Sequence, residues 1–386
     1  MSAAHAPHGA PAGLVEGLDP DQAAAVLADA PVTVVLAGAG SGKTRVLTRR
    51  IARRIADGSA ESRQVLALSF TRKATGELRQ RLGALTGHRP GTEGAPAVHT
   101  FHAFGGALLQ RWWLDRGEHP WDVTRDRRSL LDAARTTAGL PDLSTTVLGT
   151  EIEWAKARLL DPDAYEDTAG RAVDTGQVAA AWRAYEEEKR HRRILDVDDF
   201  IVVPARLLAD EPAFAAARTW WHRHVFVDEA QDLNPAQLRL LTLVLGAEPD
   251  LFVVGDPDQA IYGWNGAEPT LLLDLVASLP SEAVHRLSTN HRCTAPIVAA
   301  AASILRSPTA PAADHGDGAR WPAPTVTAHV DEVAEADAIA HRLQEARWRG
   351  ARAWSSMAVL VRTRGQLDVI AAALAARQIP HRLPGS

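Results

Sequence analysis

Cysteine and lysine are nearly missing from this 386-residue chain. The lone cysteine, Cys293, excludes a disulfide framework and a cysteine-built metal site. Four lysines (Lys43, Lys73, Lys156 and Lys189) stand among 42 basic residues, so 38 are arginine. With abundant alanine and glycine, that bias follows a GC-rich coding background. It leaves most arginines uninformative and gives each lysine weight. No run approaches the ~18 apolar residues needed to span a bilayer. The opening Met1–Gly13 has neither a basic segment nor an apolar core, so it reads as a loose tail and not a signal peptide. A net charge of −5 with 46% hydrophobic residues fits a globular protein in a reducing, cytoplasmic setting. The acidity argues against a passive nucleic-acid coat but allows nucleic acid in a local groove. The length suggests two or three domains.

Short apolar runs at Val32–Ala37, Val65–Phe70, Val225–Val227 and Leu251–Val254 predict strands of a parallel α/β sheet. The unusual residues follow these strands, as in a sheet whose site lies at the carboxyl ends. Between His102 and about Asp199 the apolar spacing turns helical, which predicts an inserted helical subdomain. Trp112, Trp113, Trp220 and Trp221 are expected in the core. A Pro/Gly/Ala stretch from Ser307 to Pro324 reads as a linker. Beyond it, strand-like Thr325–Val330, helix-like Val333–Trp348 and strand-like Met357–Arg362 predict the start of a second α/β domain.

The first strand runs into Ala37-Gly38-Ala39-Gly40-Ser41-Gly42-Lys43-Thr44 and then the helical Arg45–Ile55. Strand, glycine-rich turn, Lys-Thr and helix is the setting of a P-loop, although its first glycine is here Ala37. Glycines let successive N–H groups face phosphate oxygens, and the helix N-terminus adds a favourable dipole. Lys43 is expected to neutralise the β- and γ-phosphates of ATP and Thr44 to ligate Mg²⁺. A strand-end carboxylate must complete the metal's water shell, and Val225-Phe226-Val227-Asp228-Glu229 supplies one. Asp228 is the candidate metal residue and Glu229 the candidate base for the attacking water. Their separation from Lys43, 185 residues at Asp228, leaves room for the helical insert.

With these two motifs in place, the chain resembles the UvrD/PcrA/Rep branch of superfamily 1 DNA helicases. Leu18-Asp19-Pro20-Asp21-Gln22 resembles the family's Q motif, in which Gln22 reads the adenine edge. Arg45 matches the arginine packed near the base. Ser69-Phe70-Thr71-Arg72-Lys73-Ala74 resembles motif Ia and His99-Thr100-Phe101-His102 motif Ib. The resemblance makes Thr71, Lys73, Thr100 and His102 contacts to the single strand's backbone. Leu195-Asp196-Val197-Asp198-Asp199-Phe200 matches a further family segment, and Asp228–Asp232 is motif II.

Val253–Ala267 resembles motif III, where Gln259 senses the γ-phosphate while Tyr262 and Trp264 lie toward DNA. Aromatic faces stack on any base, at roughly 1–3 kcal/mol each, without reading sequence. Asn290-His291-Arg292-Cys293 resembles motif IV, with His291 on the adenine and Arg292 as an arginine finger. Two positions depart from the family: Asn265 stands where arginine is frequent, and His291 where tyrosine is usual.

The resemblance implies a P-loop NTPase fold. A RecA-like parallel sheet occupies 18–104 and 200–285, with a helical insert at 105–199, a flexible tail at 1–17, a linker at 307–324 and the start of a second RecA-like domain over 286–386. Motifs V and VI find no match, so the chain reads as roughly the amino-terminal half of such a helicase. The implied activity is ATP-dependent 3′-to-5′ translocation on single-stranded DNA with unwinding at duplex junctions, in DNA repair. ATP and Mg²⁺ are the cofactors and no membrane is involved. A nucleotide-gated single-strand-binding module without motor activity is the alternative.

Overall fold

The computed structural model describes residues 12–89, 91–263, 266–305, 312–313 and 321–383. Two compact units divide at Trp321/Pro322.

In the first unit, strands β1 (Val32–Ala37), β2 (Val65–Ser69) and β3 (Ala97–Thr100) alternate with helices α1 (Pro20–Leu27), α2 (Lys43–Ala56) and α3 (Arg72–Thr86). Helix α4 (Phe101–Arg116) leads to β4 (Asp122–Val123), four helices and β5 (Ile194–Leu195). The four are α5 (Arg127–Thr137), α6 (Thr145–Lys156), α7 (Pro162–Glu166) and α8 (Thr175–Arg192). Helices α9 (Asp199–Asp210) and α10 (Pro212–Trp221) return the chain to the sheet. It continues through β6 (His224–Val227), α11 (Pro235–Leu245), β7 (Leu251–Gly255), α12 (Thr270–Ser278) and β8 (Val284–Leu287). The short β9 (Thr289–Asn290), α13 (Ala295–Leu305) and β10 (Ala312–Ala313) follow.

Six strands form one sheet in the order β3-β2-β6-β7-β1-β8, all pairs parallel. Each strand sends alternate residues to opposite faces. Val34 and Leu36 join one core with α4, α9, α10 and α11, while Val35 and Ala37 join the other with α1, α2 and α3. This two-sided burial explains why the strands read as unbroken apolar runs. The four expected strands lie within one residue of their predicted ends.

The helical insert has its own core, built from α5–α8 around Ile152, Tyr165, Trp182 and Tyr185. Within the expected 105–199, Leu108 of α4 packs into the core of the sheet domain. The two helices α4 and α9 meet at Gly105, where an added Cβ would lie 1.5 Å from the Phe200 carbonyl oxygen. Gly105→Ala is therefore expected to force the helices apart and cost about 3 kcal/mol or more, read as a lower urea midpoint.

Several expectations change. Trp113 is buried, but Trp220 and Trp221 form an exposed edge-to-face pair with centroids 5.0 Å apart, each ring covering the other instead of entering the core. The arginines of α2, a set the composition left uninformative, are held by acceptors within the first unit. Arg49 donates to the Gly13 and Leu14 carbonyls, Arg50 to Val26, and Arg54 meets Asp250 at 2.7 Å. Residues 12–17 are thus tied to α2 rather than loose, while Met1–Pro11 lie outside the described residues. Strand β8, which spans the expected domain boundary at 285/286 and is not among the expected strands, pairs with β1 at the edge of the first sheet. Most of the 307–324 linker falls outside the described residues.

The second unit contains helices α14 (Glu332–Trp348) and α15 (Arg364–Ala376), which share Ala340, Leu374 and Ile379 as their buried contact. The strands expected at Thr325–Val330 and Met357–Arg362 do not form. A strand needs a hydrogen-bonded neighbour, and neither segment finds one among the described residues; Val326, Val330 and Leu360 are almost fully exposed.

Candidate functional site

Apart from the Leu18–Gln22 segment, which opens α1, and the Leu195–Phe200 segment, which follows from β5, the motifs of the first unit follow strands of the large sheet, and the parallel arrangement gathers them at one edge. The phosphate loop follows β1, the Thr71 and Thr100 segments follow β2 and β3, Asp228 ends β6, Gln259 follows β7 and Arg292 follows β8.

The loop leaves Ala37, which is buried where the strict P-loop pattern has glycine. Gly40 and Gly42 adopt φ of +74° and +90°, the left-handed region that turns successive N–H groups to one side. Gly42 caps α2, so Lys43 and Thr44 begin the helix, where the dipole favours an anion. Ser41 closes the turn by donating from Oγ to the Gly38 carbonyl at 2.7 Å.

Lys43 Nζ lies 3.4 Å from Glu229 Oε2, and Thr44 Oγ1 donates to Asp228 Oδ2 at 3.3 Å. Burial and the neighbouring Glu229 push the Asp228 carboxyl up to about 6, and the same causes push Asp232 to about 6. Asp232 Oδ1 is buried with no hydrogen-bond partner. Three carboxylates share this corner with one lysine, so a divalent cation fits the charge that remains. Thr44 and Asp228 are the groups positioned to hold it.

Glu229 sits at φ +56°, which turns its side chain back toward Lys43. Gln231, absent from the sequence candidates, bridges two motifs. Its Nε2 donates to Glu229 Oε2 at 3.0 Å, and its Oε1 accepts from the Asp256 N–H at 2.9 Å. Gln259 in turn donates to Asp256 Oδ2. Nothing in a DEAQD string marks the glutamine as the link to a loop 25 residues on; only the strand order β6-β7 does.

The 290–293 segment packs on the phosphate loop. Asn290 donates to the Ala39 carbonyl and His291 N–H to Gly40 at 2.9 Å. A Cβ on Gly40 would lie 2.7 Å from Arg292 Cβ, so this arginine stands beside the phosphate loop within the first unit. Its side chain is exposed. His291 Nε2 lies 2.8 Å from Asp19 Oδ2. Asp19 also caps α1, and Gln22 is buried there with its amide engaged by the Ser41 carbonyl at 2.9 Å. Arg45 donates to the Gly17 carbonyl. Gln22, Arg45 and His291 therefore share one side of the loop, each held by backbone or by a neighbour.

Along the other strands, Thr71 and Thr100 accept from the N–H groups of Ala74 and Ala103, capping α3 and α4. Lys73 is exposed in the first turn of α3, and half-buried His102 is shifted toward its neutral form by burial. Tyr262 is exposed on the loop after Gln259, whereas Trp264 and Asn265 lie outside the described residues. No described helix is long and apolar enough to cross a membrane.

Comparison with known proteins agrees with this geometry. Residues 18–280 match the family model of the UvrD/REP helicase N-terminal domain, and 285–386 that of the UvrD-like helicase C-terminal domain. The ATP-dependent DNA helicase UvrD2 of Mycobacterium tuberculosis is 35% identical over 393 residues, covering 96% of this chain and 56% of the relative. PcrA of Bacillus subtilis is 31% identical, covering 92% of this chain and 49% of its own. UvrD1 of Mycobacterium leprae is 34% identical over 76% of this chain and 40% of its own. The chain spans about half the length of the curated relatives it matches. Two family models in the expected order, over a sheet edge carrying the expected groups, lead to one assignment: the chain belongs to the UvrD/Rep helicase family.

Proposed function

We propose that the chain binds ATP at the Lys43–Asp228 edge and couples its hydrolysis to movement along single-stranded DNA. The observation that carries this reading is the convergence of Lys43, Thr44, Asp228 and Glu229 within hydrogen-bond or ion-pair distance from two strands 185 residues apart in sequence. The cradle of Gly38, Ala39, Gly40, Ser41, Gly42 and Lys43 receives the phosphates. Thr44 and Asp228 would hold Mg²⁺, which would neutralise phosphate charge when bound. Glu229 accepts the proton of the attacking water at its carboxylate, and Arg292 offers its exposed guanidinium to the γ-phosphate. Gln22, Arg45 and His291 form the base side; reading adenine requires Gln22 to exchange its Ser41 contact for the base edge.

Gln259 reports the γ-phosphate to the loop bearing Tyr262 and Trp264, which stack on bases. Thr71, Lys73, Thr100 and His102 follow the backbone of the strand. Translocation runs 3′ to 5′ and unwinds duplex junctions, in DNA repair. We assign 18–104 with 200–285 to the first RecA-like domain, 105–199 to its insert and 286–386 to the second. Separate family models on either side of residues 281–284 support that division.

Anisotropy of a labelled single-stranded oligonucleotide tests the coupling. Its affinity for the chain is expected to change severalfold when Mg²⁺ and a non-hydrolysable ATP analogue are added. Affinity that ignores the nucleotide contradicts the reading.

A further inference from the structure

Two of the four lysines serve no role at the nucleotide edge, yet both are buried. Lys156 at the end of α6 and Lys189 at the end of α8 converge on three carboxylates. Lys156 Nζ lies 2.8 Å from Asp196 and from Asp199 and 2.9 Å from Glu186. Lys189 Nζ lies 3.0 Å from Asp196, 2.6 Å from Asp199 and 3.0 Å from Glu186. Tyr185 Oη also donates to Asp196 Oδ2, at 2.9 Å. The carboxylates are close enough to share a cation, and the two ammonium groups take that position. The cluster fixes α6 and α8 of the insert to the turn that starts α9.

The next residue faces the other way. The Ala157 carbonyl accepts from Ala236 N–H at 2.9 Å, in the first turn of α11, four residues after Asp232. Ala157 Cβ also lies 2.7 Å from where a Cβ on Gly266 would stand, in the loop that carries Gln259 and Tyr262. The two loops are tied to each other through Glu268 N–H and the Leu233 carbonyl at 2.8 Å, and through Gln231.

We propose that Lys156–Ala157 is a positioning element that transmits displacement of the Gln259 loop into the helical insert, with the buried lysine–carboxylate cluster as its anchor. This rests on the reading of the Lys43 edge as the ATP site. Gly266 has φ +81° and lies so near α6 that a Cβ placed on it would stand 2.7 Å from the Ala157 methyl group, so a shift of this loop toward the helix must either move α6 or drive the two together. The charge cluster resists the second part of the motion, because separating buried, paired ions exposes each to an uncompensated environment. Helix α6 and the insert core then move as one body.

Hydrogen exchange read by mass spectrometry, on the full chain with and without Mg²⁺ and a non-hydrolysable ATP analogue, tests this. Peptides over 38–48 report nucleotide binding; peptides over 148–160 and 194–200 report transmission. In the unaltered chain the analogue is expected to slow exchange in the first region and change it at least about threefold in the other two. Gly266→Ala, whose added Cβ would overlap Ala157 and force the loop and α6 apart, is expected to keep the first response and lose the others. Lys156→Met does the same from the anchor side, and Gly266→Ala alone decides if that variant does not fold. An insert response that survives Gly266→Ala overturns the proposal, as does an insert that never responds while 38–48 does. No response at 38–48 contradicts the ATP-site reading itself and the proposal with it.

Discussion

Asp228→Asn is expected to lower ATP turnover by at least about a hundredfold, the scale found when a charge-stabilising group leaves a preorganised site. The same change is expected to make the metal- and nucleotide-free chain more stable. Burial and Glu229 hold the Asp228 carboxyl near 6, above its ordinary value of 3.8. A raised carboxyl pKa means that the folded state binds the proton more tightly than the unfolded state. Ionised Asp228 therefore costs stability above about pH 6, and the cost vanishes as pH falls toward 4. About two pH units correspond to a gain of at most about 3 kcal/mol for the neutral amide at pH 7.5. Urea unfolding at pH 7.5 and pH 4 checks the sign: the variant is more stable at the first and matches the parent at the second. An asparagine variant less stable than the parent at pH 7.5 would mean that Asp228 is structural.

Lys189→Ala is expected to lower stability by about 3–5 kcal/mol, because it leaves Asp196 and Asp199 buried with one lysine between them. Lys156 and Lys189 hold Asp196 well below the ordinary carboxylate range despite its burial. A depressed carboxyl pKa gives stability that is present above about pH 4 and lost as pH falls below it. The variant's deficit against the parent should therefore be largest near neutrality and shrink in acid. Thermal unfolding of both chains from pH 7.5 to pH 3 measures it. A loss under about 1 kcal/mol at pH 7.5 would mean that the cluster is solvated.

The sheet and its site were legible because the physics there is local. Val32–Ala37 and Leu251–Gly255 are buried on both faces, so apolar runs alone marked them. Lys43 stood out because lysine is rare in this chain, and its P-loop context named its chemistry. The pairing of Lys156 and Lys189 depended instead on three elements meeting in space, and neither residue lies in a motif. Gln231 escaped notice for the same reason, since its partner Asp256 arrives on the neighbouring strand. Arg49 and Arg50 gave no signal because their acceptors are backbone carbonyls, which no side-chain pattern reveals. The segments Thr325–Val330 and Met357–Arg362 had strand-like composition, but composition supplies no hydrogen-bonding neighbour.

The most direct test of the account is steady-state ATP hydrolysis by the purified chain, with and without a single-stranded oligonucleotide, beside Lys43→Ala. The expected result is Mg²⁺-dependent turnover that the oligonucleotide raises severalfold and that the variant lacks. Turnover that persists in Lys43→Ala, or that takes no notice of the oligonucleotide, would contradict the coupling of this site to DNA.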